Sequence, residues 1–281
     1  MEWNFPRYLA AKKSVDDRAL NKDVWRTFLA DLPPNPRLVE VGAGIGTMAQ
    51  RLFDAGLTYA DYTAVDNQPD NIRIARQRLA ALPATFRHTL HTADLLAFAA
   101  GHDGRSPYDA LIAHAVLDLL DIPTALPLLW RLLPPNGRYY FTLNFDGATI
   151  LEPAIDPALD ALIEQLYHQS MDERLTDERP SGDSHSGRHL FTHLRHSGAA
   201  IHAAGSSDWV VFAGPNGYPA DEAYFLHFII HFIEQTLAGH PQLPTTSFAA
   251  WIKKRRAQIE RGELIYIAHQ LDIYGTAPAQ S

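Results

Sequence analysis

Val39-Glu40-Val41-Gly42-Ala43-Gly44-Ile45-Gly46 ends an apolar run and opens a helical one, and its reading decides the fold. Residues 38–41 have the β-branched, apolar character of a buried strand, residues 47–55 have helical spacing, and residues 62–65 form a second strand pattern. Strand, glycine turn, helix, strand is a βαβ unit, which puts the glycines at the carboxyl edge of a parallel sheet. Gly42 and Gly44 permit backbone angles closed to other residues and let a ligand approach the main chain. The helix start beyond them offers unpaired N–H groups to a polar or anionic ligand. The spacing is G-x-G-x-G. The dinucleotide fingerprint would place its third small residue at position 47, where Thr47 stands.

Working outward, Glu40 sets a carboxylate at the tip of the first strand, a poor neighbour for pyrophosphate but a good one for a cation such as a sulfonium with an ammonium tail. Asp66 ends the second strand, where a carboxylate accepts from ribose hydroxyls, and Asp94 follows the third, where it accepts from an adenine amino group. The alternation continues with a helix at 71–81, strands at 86–92 and 108–113, a helix at 122–133 and a strand at 138–143. A parallel sheet with helices on both faces follows. Residues 1–36 form a helix-prone leader, with Ser14 and Asp17 as a helix start and Pro33, Pro34 and Pro36 as its stop. Beyond Asn144 come helices at 156–174 and 188–196 around a Gly/Ser/Asp loop at 180–187. Strands at 209–212 and 264–274 are expected to pair antiparallel, with helices at 220–238 and 246–261 inserted between them.

On these residues the chain resembles class I S-adenosylmethionine-dependent methyltransferases: the Glu40 to Gly46 loop, Asp66, Ala93-Asp94-Leu95 and the block at 108–120 match that family's successive motifs. The resemblance implies an α/β fold: a Rossmann-like, seven-stranded, mostly parallel sheet ending in an antiparallel hairpin. It also implies an N-terminal cap over residues 1–36 and a catalytic domain over 37–281, with helical insertions at about 147–198 and 218–262 forming a substrate lid. It implies S-adenosylmethionine as cofactor, held by Glu40, Gly42, Ala43, Gly44, Gly46, Asp66, Asn67, Asp94, Leu95 and His114. The leader at 8–18 is similar to caps of small-molecule members, which offers Tyr8 and Arg18 to the substrate. The expected reaction moves a methyl group to an oxygen, nitrogen or carbon nucleophile of a small molecule.

Composition narrows the alternatives. The 281 residues are 46% hydrophobic and contain no cysteine, which excludes disulfides, Cys-based zinc sites and iron–sulfur clusters. A net charge of -8 argues against nucleic-acid and anionic-membrane partners. No 18-residue apolar run and no signal-peptide pattern is seen, so a cytoplasmic monomer or homodimer is expected. No Asp/Asn-Pro-Pro-Tyr signature follows the fourth strand.

His114 at the end of that strand reads either as a group facing the transferred methyl, including as general base, or as a histidine shaping the cofactor pocket. In the loop Ser181 to Arg188, Asp183, His185 and Arg188 offer base or substrate contacts, against a solvated connection with Ser186 as helix cap. His189 with His193 and His227 with His231 have helical i, i+4 spacing but lack a third ligand, so no metal is expected. Tyr224 lies on an apolar helix with Phe225, Phe228, Ile229 and Phe232, which reads as core with part of an aromatic substrate roof. Lys253 to Arg256 is the one basic run, read as a solvated face. Two rivals stay open: a non-catalytic S-adenosylmethionine binder and a nicotinamide-dependent oxidoreductase.

Overall fold

The computed structural model describes residues 3–102, 108–176 and 178–279. Two helices lead, α1 (Phe5–Ala19) and α2 (Lys22–Asp31), followed by β1 (Arg37–Val41), α3 (Thr47–Asp54), β2 (Ala60–Asp66), α4 (Pro69–Leu79) and β3 (Phe86–Thr92). Then come α5 (Leu95–Ala100), β4 (Ala110–His114), α6 (Ile122–Leu129), β5 (Arg138–Glu152), α7 (Pro157–Asp172) and a small hairpin of β6 (Leu175–Thr176) with β7 (Arg179–Pro180). The chain ends with α8 (Ser186–His196), β8 (Ala200–Ser206), β9 (Trp209–Val211), α9 (Glu222–Leu237), α10 (Thr245–Glu260) and β10 (Ile265–Thr276).

The main sheet has eight strands in the order β3-β2-β1-β4-β5-β10-β8, with β9 also on β10. Strands β1 to β5 pair in parallel, and β10 runs antiparallel to β5, β8 and β9. Seven strands were expected. The addition is β8, whose Ala-Ile-His-Ala-Ala-Gly-Ser sequence carries little β propensity and is held by backbone pairing to β10. The expected pairing of the 209–212 and 264–274 strands is present, with Val211 opposite Tyr266.

Two boundaries differ for local reasons. Helix α1 starts at Phe5, because Asn4 caps it through Arg7 N at 2.9 Å and Pro6 occupies its first turn. Ser14 therefore sits inside the helix. Strand β5 runs past Leu143 to Glu152 by way of left-handed backbone at Leu143 (φ 55°) and register shifts against β10. The buried Asp272 carboxylate steadies this bend, accepting from Leu143 N and Asn21 N, each at 2.8 Å.

One sheet face packs Val24, Phe28, Met48, Leu52 and Tyr62 from α2, α3 and β2. The other packs Val39, Val41, Leu126, Leu129, Phe141 and Leu190 against α6 and α8. A third apolar cluster joins α1, α7, α9 and α10 with β9 and the ends of β5 and β10. It forms a helical layer beside the carboxyl edge at which β1 and β4 end.

Candidate functional site

The glycine loop leaves β1 through three left-handed glycines, Gly42 (φ 67°), Gly44 (φ 53°) and Gly46 (φ 75°). A Cβ on Gly42 would lie 2.7 Å from Val116 Cγ2, so the segment after β4 passes where only glycine leaves room. Gly46 caps α3 in left-handed conformation with no side-chain hydrogen bond, which leaves the first N–H groups of the helix available to a ligand. Ala43 is buried, and its N–H bonds Val65 O at 3.0 Å.

Asp66 ends β2 beneath this loop. Its Oδ2 accepts from Gly44 N at 2.8 Å, and Oδ1 accepts from Gln68 N at 2.9 Å and Asn71 Nδ2 at 3.1 Å. The carboxylate expected to meet a ribose thus also organises the loop, and at 8% exposure it has few lone pairs left. Asn67 beside it is exposed. Asp94 is exposed, caps α5 through Ala97 N at 2.8 Å and keeps its carboxylate at the β3 edge, with half-buried Leu95 next to it.

Glu40 does not stand at the strand tip facing a ligand. It is 1% exposed and accepts from the Tyr62 hydroxyl, and burial lifts its carboxyl to about 8. The β1 side-chain alternation explains this, since Glu40 shares the Leu38 face that α2 and α3 cover.

His114 lies at the end of β4 with both ring nitrogens engaged: Nδ1 is 2.7 Å from Thr142 Oγ1, and Nε2 is 3.1 Å from both Asp16 Oδ2 and Arg51 Nη1. Burial, with the Arg51 guanidinium adding to it, pushes the imidazole down to about 4. Asp16 also accepts from Lys12 Nζ and Trp209 Nε1, each at 2.9 Å, and Arg51 further bonds Asp17. A buried network thereby ties α1 to α3, β4, β5 and β9. Lys12 and Asp16 have i, i+4 helical spacing, but nothing local announces partners so distant in sequence.

The remaining candidates separate. Tyr8 is buried against Phe225 and Phe228 on the inner side of α1. Arg18 instead makes a two-pronged ion pair with the fully buried Glu222, and Tyr224 accepts from Asn4 N at 2.9 Å under the Arg7 guanidinium. Arg188 pairs with Asp146 at 2.8 Å, and Asp183 bonds His185 N and His189 Nδ1. His185 reaches Ser184 Oγ at 2.9 Å and packs against Gly147. Ser186 is not a cap: its buried hydroxyl donates to Phe145 O. His231 stacks on Trp3. The basic run is split, with Arg255 buried against Asp160 and Arg256 paired with Glu234, while Lys253 and Lys254 are exposed. Among the described residues no three His, Cys, Asp or Glu converge as metal ligands, and no helix is long and apolar enough to cross a membrane. A groove of about 740 Å³ between α2, His202 and Tyr274 contains none of the glycine-loop residues.

Residues 39–139, from β1 into β5, match the family described as methyltransferase domain. The chain contains a stretch similar to a methyltransferase domain. Solved structures share its fold. One, from work on conversion of a disulfide bond into a thioacetal group during echinomycin biosynthesis, is 16% identical over 92% of this chain and 83% of that one, with a TM-score of 0.50. A chain from the complex of the Haloferax volcanii Trm112 methyltransferase activator with a methyltransferase is 15% identical over 99% of both chains, TM-score 0.50. Mycolic acid cyclopropane synthase CmaA1, solved with S-adenosylhomocysteine and CTAB, is 14% identical over 92% of this chain and 82% of that one, TM-score 0.50. Among curated proteins none matches by sequence. The matched span thus covers the glycine loop, Asp66, Asp94 and His114, and the helical layer lies largely outside it.

Proposed function

We propose that this protein transfers a methyl group from S-adenosylmethionine to a small-molecule acceptor. One observation carries the reading: three left-handed glycines between β1 and an α3 start without a side-chain cap, the middle one, Gly44, bonded to the acid that ends β2. The residues fit that cofactor. Gly42, Gly44 and Gly46 let a polar tail approach the main chain and the uncapped first turn of α3, Asp66 and Asn67 would meet a ribose, and Asp94 and Leu95 would meet the adenine end. When bound, the cofactor supplies a methyl group already activated by its sulfonium.

The chain's own work is then alignment and exclusion of water. Helix α1, locked by the Lys12–Asp16–Arg51–His114 network, covers the carboxyl edge of β4. With both nitrogens engaged, His114 is better suited to shaping this edge than to taking a substrate proton. The net charge of -8 and the split basic run support a small acceptor over nucleic acid, and a cytoplasmic location suits that chemistry.

Calorimetric titration with S-adenosylhomocysteine tests the reading. Binding at roughly micromolar Kd, about -8 kcal/mol, is expected, weakened tenfold or more in Asp94→Ala. Asp94→Asn, which retains an α5 cap, separates cofactor contact from helix stability. Absence of binding, with a nicotinamide cofactor binding instead, overturns it.

A further inference from the structure

The helical layer buries polar groups that the fold leaves unsatisfied. Asp118 sits in the turn after β4, and its Oδ1 is buried with no hydrogen-bond partner. The hydroxyls of Tyr8 on α1, Tyr167 on α7 and Tyr266 on β10 make no hydrogen bond to any described residue, although Tyr8 and Tyr266 are almost wholly buried. Tyr8 and Tyr266 share one buried apolar cluster, with Tyr167 packed against it; Tyr8 also feels the charges of Asp16 and Asp118, and Tyr167 those of Arg174 and Asp118. Burial keeps the three phenols neutral, and burial also raises the Asp118 carboxyl, with Arg174, the residue's own backbone N–H and Lys12 only partly offsetting it. Lys12 is committed to Asp16, and no ion pair joins Arg174 to Asp118 among the described residues. Phe225 and Phe228 wall the Tyr8 side. Gly182 closes another, since a Cβ there would lie 2.7 Å from Met171 O and 3.5 Å from Asp118 O.

A buried acceptor left unpaired is costly, and a ligand recovers that cost by supplying the missing donor. An ionised carboxylate only accepts, so its best complement is a cationic donor, and aromatic faces attract the same charge. The phenols can turn to accept as well as donate. An anionic acceptor would meet repulsion from Asp118.

We propose that Asp118, with Tyr8, Tyr167 and Tyr266, forms the acceptor subsite of this methyltransferase, and that the acceptor is a primary or secondary amine whose ammonium group Asp118 binds. The assignment rests on the methyl-transfer reading above. In the reaction the Asp118 carboxylate takes a proton from the ammonium. The freed nitrogen lone pair forms a bond to the methyl carbon while the carbon–sulfur bond breaks; its electron pair stays on sulfur as a thioether, and the positive charge passes to the methylated nitrogen.

The test is calorimetry at pH 7.5 on protein saturated with S-adenosylhomocysteine, using ethylamine, isobutylamine and benzylamine, each beside its matching alcohol and carboxylate. At least one amine is expected to bind ten times more tightly than its alcohol, with the preference lost in Asp118→Asn and partly restored in Asp118→Glu. Tyr167→Phe, a change of one oxygen, should weaken that amine several-fold and serves if Asp118→Asn fails to fold. No amine preference, a preference unchanged in Asp118→Asn, or strongest binding by a carboxylate overturns the proposal. The parallel S-adenosylhomocysteine titration reports separately on the cofactor: its failure sinks the methyl-transfer reading, whereas its success without amine preference sinks only the acceptor assignment.

Discussion

Glu40 is buried against Tyr62, and burial lifts its carboxyl from 4.5 to about 8. A folded-state pKa above the unfolded value means that the folded chain holds the proton more tightly. The stability this brings is complete below about 4.5 and is lost as pH rises through about 8. Glu40→Gln keeps an acceptor for the Tyr62 hydroxyl but cannot ionise. The parent protein's unfolding free energy should therefore fall more than the variant's between pH 6 and pH 9, by an amount on the order of 1–4 kcal/mol in urea unfolding; parallel curves would show an ordinary carboxylate. His114 acts in the opposite sense. Its pKa is lowered from 6.5 to about 4, so its contribution is complete above 6.5 and is lost as pH falls through about 4. Gly42 is constrained twice, by its φ of 67° and by Val116. Gly42→Ala should cost about 1–3 kcal/mol in thermal or urea unfolding and weaken S-adenosylhomocysteine binding. Unchanged values in both would mean that the loop tolerates a side chain.

Helix α1 is the element on which the site depends most. Its inner face carries Tyr8, Lys12 and Asp16, while its far end is pinned by Arg18 and Ser14 to Glu222 on α9. Glu222 is fully buried, so removing Arg18 leaves a charge with only the Ser14 hydroxyl to answer it. Arg18 itself is about half exposed, and solvent screening discounts the loss to roughly 1–2 kcal/mol. Arg18→Ala should speed amide hydrogen exchange across residues 5–19 while leaving β1 and α3 protected. Equal acceleration in both regions would mean that α1 is not held independently at this end.

At the scale of the molecule, the leader is packed into the body of the fold. Helix α1 joins the apolar cluster of α7, α9 and α10, and α2 packs Val24 and Phe28 on the sheet. The Asp16 network crosses from α1 to α3, β4 and β9. Residues 1–36 should therefore unfold together with the rest. Calorimetry is expected to show one transition with equal van't Hoff and calorimetric enthalpies, and a separate early transition lost on truncating α1 and α2 would contradict this.

The βαβ start, the succession of β1 to β5 along the chain, the glycine loop and the positions of Asp66 and Asp94 were legible in the sequence. Strand and helix periodicity and a glycine's φ are local properties, set by a residue and its near neighbours. Helix α5 was not legible, because six residues are too short to show a helical stripe. Strand β8 was not either, since its pairing to β10 lies in backbone bonds that side chains do not advertise. The site divides along the same line. The glycines and the acids that follow β2 and β3 come from one stretch of chain and could be named in advance. Which way Glu40 faces, which partners occupy His114, and why Tyr8 turns inward while Arg18, Arg188 and Tyr224 are tied elsewhere were decided by packing. So was the gathering of Tyr8, Tyr167 and Tyr266, from α1, α7 and β10, at one apolar cluster. Those residues lie far apart in sequence, and only the packed helical layer brings them together, with the Asp118 charge felt at Tyr8 and Tyr167.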